Sequence, residues 1–161
     1  MSNLRIGLGT DTHRLVENRK LILGGIEINH NKGCDGHSDG DALIHALCDS
    51  ILGAANLRDI GYHFPDTDAS NKNKDSAYFL RKIIEMITKN GYSIVNTDIT
   101  VQIQKPKINP HIPKMQSKLS SIIGIEEGLI SIKAKTGENI GFIGREEGVS
   151  VQAIVLLEKT T

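Results

Sequence analysis

The chain has no tryptophan, and aromatic side chains of any kind make up only 4% of its 161 residues. Proteins that hold single-stranded nucleic acids usually stack the bases on aromatic rings, so this scarcity disfavours such a role. The chain also lacks an excess of positive charge, because lysine plus arginine equals aspartate plus glutamate at 19 each. Without the positive field that attracts a phosphate backbone, we expect no nucleic acid partner.

Long apolar runs are missing as well. No segment approaches the length that spans a bilayer, and the first residues lead into strand-like sequence without a basic region or an apolar signal core. We therefore predict no membrane association and a cytoplasmic protein. The only two cysteines, Cys34 and Cys48, agree with a reducing compartment, and Cys48 lies in an apolar helical segment where a thiol packs as a small hydrophobic group.

The apolar pattern predicts one domain over residues 1–161, because a 39% apolar content is enough for a single core. The predicted elements are strands over 4–10, 93–104, 130–135 and 148–158, a strand pair or a bulged strand over 21–28, helices over 38–55, 76–90 (capped by Asp75 or Ser76) and 109–123, and an exposed loop over 65–76. This order is too mixed for a doubly wound sheet. We predict an α+β fold with a mixed sheet and helices packed on one face.

The last predicted strand is apolar on nearly both faces between Val149 and Leu157. In a chain of this size, such a strand needs a covering partner on one of its faces. We therefore predict that the protein is an oligomer.

Two polar patterns point to metal chemistry. Asp11 and His13 are two residues apart in extended sequence, so their side chains should point the same way, although such a pair is more often a surface feature. In the first predicted helix, Asp41, His45 and Asp49 recur at i, i+4 and i+8 and form one polar stripe.

The helical stripe also has an ordinary interpretation. Ser38, Asp39 and Asp41 are typical of a helix N-terminus, where such residues cap free amides and complement the helix dipole. His45 has apolar neighbours in sequence and fits a satisfied core histidine as well as a ligand. If it is a ligand, Asp11, His13 and His45 form a two-nitrogen, one-oxygen set that suits Zn²⁺ and leaves a fourth position open for substrate.

Three further regions are typical of ligand contacts, although each also fits ordinary scaffold. The acids in residues 59–61 and 64–68 could accept hydrogen bonds from sugar hydroxyls, or could be solvated loop acids. Residues 104–110 place lysines between prolines, where rigid backbone can read a base edge or can simply join a strand to a helix. Glycines beside lysine and threonine in 133–138 and 141–145 suit a phosphate, yet no Walker pattern is present.

In this order and spacing, the motifs closely resemble those of the 2-C-methyl-D-erythritol 2,4-cyclodiphosphate synthases of the non-mevalonate isoprenoid pathway, and the match runs nearly end to end. The motifs that carry the resemblance are Gly9–His13, His37–Asp41 with His45, Leu52–Ala54, Asp59–Gly61, Phe64–Asp68, Pro106–Lys107, Pro110–Pro113, Lys135–Glu138 and Gly144–Gly148. The family often has three threonines before the glutamate, whereas this chain reads Lys135-Thr136-Gly137-Glu138. That departure puts in doubt only the hydroxyl contacts of the flanking positions.

The resemblance implies a metal-assisted cyclisation. The 2-phosphate of 4-diphosphocytidyl-2-C-methyl-D-erythritol 2-phosphate attacks the β-phosphate, which gives the 2,4-cyclodiphosphate and CMP without a covalent enzyme intermediate. It also implies a homotrimer with strands around the threefold axis and active sites between adjacent subunits. An isoprenoid diphosphate is implied on that axis, near Phe142 and Arg145.

The roles of individual residues come from the same resemblance. Zn²⁺ would be bound by Asp11, His13 and His45, and Glu138 would bind Mg²⁺ or Mn²⁺ with the diphosphate. His37 and Thr136 would be the catalytic residues that stabilise the transition state, and residues 103–109 would enclose cytosine. The implied substrate-binding residues are Asp11, His13, His37, Ser38, Asp49, Asp59, Gly61, Phe64, Asp66, Asp68, Lys107, Lys135, Thr136, Glu138, Phe142 and Arg145.

Two other functions fit the same residues. A nucleotide-binding module could hold a cytidine nucleotide without turnover, and would then release no CMP. A metal phosphohydrolase could use a zinc-bound hydroxide, and would then give a linear product that carries oxygen from water.

Overall fold

The computed structural model describes residues 3–36, 38–65, 67–68, 71 and 74–160. Within these residues the chain forms seven β-strands and five α-helices. They are β1 (Leu4–Glu17), β2 (Leu21–Leu23), β3 (Ile26–Ile28), β4 (Lys32–Cys34), α1 (Ala42–Ala54), α2 (Ile60–His63), α3 (Ser76–Lys89), β5 (Tyr92–Gln102), α4 (Ile112–Ile123), β6 (Ile130–Lys135), α5 (Gly141–Gly144) and β7 (Gly148–Lys159). Among the residues described, no helix is long and apolar enough to cross a bilayer.

The main sheet has five strands in the order β4-β1-β7-β5-β6. Strands β5 and β6 pair in parallel, whereas β1 pairs antiparallel with β4 and β7, and β5 pairs antiparallel with β7. Helices α1, α3 and α4 pack on one face of this sheet. The prediction of an α+β fold with a mixed sheet and helices on one face is confirmed. Of the two interpretations of residues 21–28, the strand pair is correct, since β2 and β3 form a hairpin.

Strand β7 shows how the core is divided from the outer face of the sheet. Every second residue, from Val149 to Leu157, is buried against the helices. The opposite face carries apolar side chains that the chain alone does not cover. Ile6 is 74% exposed, Leu8 64% and Ile154 43%.

The backbone of strand β1 lies very close to the backbone of helix α1. The alternation predicted for residues 4–10 is present, but Gly7 and Gly9 face inward and their apolar neighbours face outward. A β-carbon on Gly7 would lie 1.9 Å from the Ser50 carbonyl oxygen, and one on Gly9 would lie 1.9 Å from that of Ala46. Only a strand without β-carbons at these positions can carry α1 at this distance.

Helix α1 begins later than its sequence suggests. We expected a cap at Ser38, whereas Asp41 is the N-cap and its Oδ1 accepts a hydrogen bond from the Ile44 amide. The buried Asp41 carboxylate also accepts hydrogen bonds from the amides of Gly24 and Gly25, in the turn between β2 and β3. The cap therefore joins α1 to the hairpin, which Ser38 does not do.

Replacing Asp41 with alanine should destabilise the protein by about 2–3 kcal/mol, since it removes a cap and leaves two hairpin amides without this acceptor. Burial raises the pKa of Asp41 to about 6, against the opposing effect of the backbone N–H groups of Gly25, Ile44 and Gly24. The folded carboxyl thus keeps its proton to higher pH than the unfolded one, so its contribution to stability falls as pH rises from about 4 to about 6.

Urea unfolding of wild type and Asp41→Ala across this range should therefore give a stability difference that is largest near pH 4 and narrows by about pH 6. Asp75→Ala is the matched control, because Asp75 caps α3 at an exposed position through the Tyr78 amide. That variant should lose about 1 kcal/mol or less at each pH. Equal losses in the two variants would contradict the role of the hairpin contacts.

Both cysteines lie in the core as free thiols. Burial raises the pKa of Cys34 to about 12 and that of Cys48 well above its ordinary value. The reactive thiolate is therefore negligible in the folded protein even above neutral pH. We expect iodoacetamide at about pH 8 to label neither cysteine in the native protein and both after denaturation, as read by intact-mass spectrometry. Rapid labelling of the native protein at either position would contradict the burial.

Candidate active site

The three predicted metal ligands meet where strand β1 passes helix α1. Asp11 Oδ2 lies 3.0 Å from His13 Nδ1 and 3.2 Å from His45 Nδ1. The centroids of the two imidazole rings are 5.3 Å apart. One ligand atom from each of the three residues lies within 4.8 Å of the other two. The two-residue spacing on β1 and the helical stripe on α1 thus converge on one point.

This cluster fits a divalent cation. His13 Nδ1 is buried, and among the described residues its one close polar neighbour is Asp11 Oδ2, at 3.0 Å, a contact that does not meet the criteria of a hydrogen bond. A buried polar atom without a partner is costly unless a ligand satisfies it. Two imidazole nitrogens and one carboxylate oxygen are an accepted donor set for transition metals, and they leave a position free for a ligand. The cluster could therefore hold a metal ion.

The electrostatics of the cluster favour an ionised acid. Burial alone would raise the pKa of Asp11, but the neighbouring imidazoles of His13 and His45 outweigh it and hold the pKa at about 2. Burial alone would lower the pKa of His45, but the hydrogen bond and the charge of Asp11 outweigh it and raise that pKa. The carboxylate therefore stays charged near neutral pH, as a metal ligand must.

The cluster opens into a cleft of about 950 Å³. Five of the predicted metal- or substrate-binding residues line it: His13, Ser38, His45, Gly61 and Phe64. The other lining residues are Thr12, Arg14, Asp35, Gly36, Ile60, Asn71 and Phe79. Its volume is in the range of small-molecule sites.

Two acids that were predicted to bind substrate shape the wall of this cleft. Asp49, on α1, accepts a hydrogen bond from the Ile60 amide at 2.8 Å. Asp59 caps the short helix α2 by accepting one from the Tyr62 amide at 2.9 Å. Burial raises the pKa of Asp49. These contacts fix the backbone on both sides of Gly61, which faces the cleft.

A second group of predicted residues lies at another edge of the sheet. Strands β5 and β6 are parallel, so their last residues lie at the same edge of the sheet, and Lys135 is the last residue of β6. The segments that follow these strands contain Lys107 and residues 136–138. Gln104 Oε1 joins the two segments by accepting hydrogen bonds from the amides of Gly137 and Asn139. Thr136 Oγ1 donates to Glu138 Oε1 at 2.9 Å. None of these residues is among those that line the cleft.

Phe142 and Arg145 line a neighbouring cleft of about 610 Å³. It shares Thr12, His13 and Arg14 with the first cleft, so the two clefts meet at this part of strand β1. The Arg145 guanidinium pairs with Glu147 through its Nε at 2.9 Å.

Comparison with known proteins identifies the family to which the chain belongs. The model of the YgbB family matches residues 4–158. This chain belongs to the YgbB family. Its similarity to relatives also extends over nearly the whole sequence. The chain is 53% identical over 156 residues to the 2-C-methyl-D-erythritol 2,4-cyclodiphosphate synthase of Bacteroides thetaiotaomicron, a match that covers 97% of this chain and 98% of the relative.

Solved structures give the same result for the fold of this YgbB family member. A 2C-methyl-D-erythritol-2,4-cyclodiphosphate synthase in its CDP-bound form is 36% identical, with a TM-score of 0.89, covering 96% of this chain and 100% of that one. The bifunctional IspDF from Campylobacter jejuni is 42% identical, with a TM-score of 0.93 over 97% of this chain. The present chain spans 42% of that longer protein.

Two of the predicted site residues, His37 and Asp66, lie outside the residues that the structure describes. Asp68 is described and exposed, and its amide donates to the Pro65 carbonyl oxygen.

Sequence reasoning missed two residues that contact the site of this YgbB family member, Arg19 and Ser76. Arg19 pairs with Asp35 and donates to the carbonyl oxygens of Gly36 and Ser38, on either side of position 37. Asp39 and Ser76 hydrogen-bond to each other, and Ser76 also contacts His45. Arg19 follows a turn and Ser76 begins a helix, so no local pattern links them to residues 37–45. Only the tertiary fold does so.

Proposed function

We propose that this chain converts 4-diphosphocytidyl-2-C-methyl-D-erythritol 2-phosphate into 2-C-methyl-D-erythritol 2,4-cyclodiphosphate and CMP, a lyase reaction in isoprenoid precursor synthesis. Membership of the YgbB family and the name of the 53%-identical relative support this reaction. The observation that carries it is the Asp11, His13 and His45 cluster, which opens into a cleft of substrate size.

In the proposed site, Asp11, His13 and His45 hold Zn²⁺, and Glu138 holds Mg²⁺ or Mn²⁺. When bound, these cations supply positive charge that offsets repulsion between the attacking and the leaving phosphates. A second cation ligand on a separate loop is supported by the exposed Glu138 carboxylate. No side chain is required as a covalent nucleophile.

The proposed role of the chain is to orient the substrate for an intramolecular reaction. An oxygen of the 2-phosphate forms a bond to the β-phosphorus while the bond from that phosphorus to the bridging oxygen breaks, and CMP leaves with that oxygen. Orientation of this kind is worth on the order of 7–11 kcal/mol in favourable systems. His37 and Thr136 stabilise the charge that develops on the transferred group.

The remaining residues bind the two ends of the substrate in this proposal. Asp59 and Gly61 hold ribose, with Asp49 supporting their backbone, and residues 103–109 enclose cytosine. Lys107 and Lys135 provide cationic groups beside the nucleotide. Ser38, Phe64, Asp66 and Asp68 hold the methylerythritol phosphate.

We propose that the two groups of residues complete one site only between neighbouring subunits of a homotrimer. Two observations support this. Lys107 and residues 135–138 do not line the cleft that contains the triad, and the outer face of the sheet exposes Ile6, Leu8 and Ile154. Apolar faces of this kind are normally covered. In the trimer the strands surround a threefold axis, Phe142 and Arg145 lie near a cavity for an isoprenoid diphosphate, and the whole chain acts as one cytoplasmic domain.

The reaction is tested by incubating the protein with the cytidylyl substrate, Zn²⁺ and Mg²⁺ in ¹⁸O-labelled water. We expect CMP by chromatography, a cyclic diphosphate by ³¹P NMR, and no ¹⁸O in either product. Binding without CMP would identify a nucleotide-binding module. A linear product containing ¹⁸O would identify a phosphohydrolase. Native mass spectrometry should report three subunits with one zinc ion each.

A further inference from the structure

The second nitrogen of the His45 ring contacts two serines, and the nearer one, Ser76, has no part in the proposed mechanism. Nδ1 of this ring faces Asp11, whereas Nε2 lies 3.0 Å from Ser76 Oγ and 3.4 Å from Ser38 Oγ. Ser76 is fully buried, and its hydroxyl donates to Asp39 Oδ1. The hydrogen bonds run from Asp39 through Ser76 to His45.

The donors and acceptors in this chain of contacts determine where the imidazole proton lies. An ionised carboxylate can only accept, and Asp39 accepts from the Ser76 hydroxyl, the Ser76 amide and the Asp41 amide. A hydroxyl has one hydrogen, which Ser76 gives to Asp39. Its oxygen therefore offers only lone pairs to His45, so Nε2 carries a proton and donates it to Ser76. Nδ1 lies 3.2 Å from the Asp11 carboxylate, so it is the nitrogen that gives up its proton when a cation binds beside Asp11.

We propose that Ser76 and Asp39 are positioning residues, which keep the proton of His45 on Nε2 so that the Nδ1 lone pair points at the metal position beside Asp11 and His13. This inference rests on the proposed function, because it requires that the cluster holds a metal. It adds two residues from outside the site, one from the loop before α1 and one from the first turn of α3.

The contacts also fix the direction of the ring. Asp39 uses both carboxylate oxygens on the amide and hydroxyl of a single residue, so Ser76 cannot turn without breaking two hydrogen bonds. The Ser76 backbone is itself set by the cap of α3, where Asp75 accepts from the Tyr78 amide. Partners of this kind, which orient a metal-binding histidine through its other nitrogen, are typically worth 10–100-fold in metal affinity.

The test is the zinc affinity of the full-length protein, measured without substrate by competition with a chromogenic chelator. Ser76→Ala and Asp39→Asn should each weaken zinc binding by about 10–100-fold. Ser76→Thr keeps the hydroxyl and should restore an affinity close to that of wild type. The double variant should lose little more than either single variant, because both residues act through the same hydrogen bonds.

Ser50→Ala is the matched control. Ser50 is a buried serine on α1, and its hydroxyl donates only to the Leu47 carbonyl oxygen within the same helix. That variant should bind zinc as wild type does. A purely structural role for Ser76 would lower the melting temperature of the metal-free protein and leave its zinc affinity unchanged, which would overturn the proposal.

A second readout reports the proton directly. In the zinc-loaded protein labelled with ¹⁵N-histidine, NMR should show a protonated Nε2 and a metal-bound Nδ1 for His45. The opposite arrangement would overturn the proposal even if the affinities fell. Wild-type protein that binds no zinc would overturn the metal site together with this inference. Wild-type protein that binds zinc no better than Ser76→Ala would overturn this inference alone.

Discussion

Replacing His45 with alanine is expected to abolish cyclisation, with kcat/KM for the cytidylyl substrate falling at least about 10³-fold. His45 supplies one of the three ligand atoms that lie within 4.8 Å of one another. Asp11 and His13 are neighbours on one strand and cannot surround an ion by themselves. The variant should therefore lose its zinc as well as its turnover. The measurements are CMP release by chromatography and zinc content by native mass spectrometry.

The fold of His45→Ala should survive, because the side chain makes polar contacts beside the cleft and is not part of the core cluster. We expect the melting temperature of the metal-free variant to lie within about 4 °C of metal-free wild type, which corresponds to about 1 kcal/mol for a chain of this size. Ser50→Ala, on the next turns of the same helix, should keep both zinc and activity. Near-normal turnover by His45→Ala would refute the ligand assignment.

The members of the Asp11, His13 and His45 cluster were predictable because their signals are local. Asp11 and His13 share one face of an extended strand, and His45 is a polar residue inside an apolar helical pattern. Either pattern alone was compatible with an ordinary surface or core role. The sequence could not predict that His45 lies close to Asp11 and His13, since β1 and α1 are separated by a hairpin and a loop.

The start of helix α1 was predicted wrongly for a physical reason. Ser38 and Asp41 both have side chains that can cap a helix, so the local sequence does not determine which of them is the N-cap of α1. The amides of Gly24 and Gly25 favour Asp41 as the N-cap, because they donate two further hydrogen bonds to its buried carboxylate. The same limit applies to Ser76 and Asp39, whose contacts with the site depend on how α3 packs.

Strand β1 was predicted too short. Its regular alternation ends near Thr10, but the strand continues to Glu17 because β7 pairs with it as far as Arg14 and β4 pairs with residues 15–17. The sequence also did not predict which face of β1 is buried. Its large apolar residues point away from the helices, and the face that is buried within this chain is the one that carries the glycines. The proposed trimer would cover the apolar residues on the outer face.

These glycines lead to the second large effect. Gly9→Ala is expected to destabilise the protein by more than about 3 kcal/mol, because the new methyl group would lie 1.9 Å from the Ala46 carbonyl oxygen and neither backbone can give way. Ala46 follows His45 directly, so any shift of α1 that relieves the clash also moves His45 away from Asp11. We therefore expect loss of zinc affinity and of stability together, as measured by chelator competition and by urea unfolding.

Gly53→Ala is the control for this variant and should have the opposite sign. Gly53 is an exposed residue near the end of α1, and a β-carbon there would meet nothing within 4 Å. Alanine at such a helical position should stabilise the protein by about 0.5–1 kcal/mol, since it lowers the conformational entropy of the unfolded chain. It should leave zinc affinity unchanged. A Gly9→Ala protein as stable as Gly53→Ala would show that β1 and α1 are not in backbone contact, and the position of His45 beside Asp11 would then need another cause.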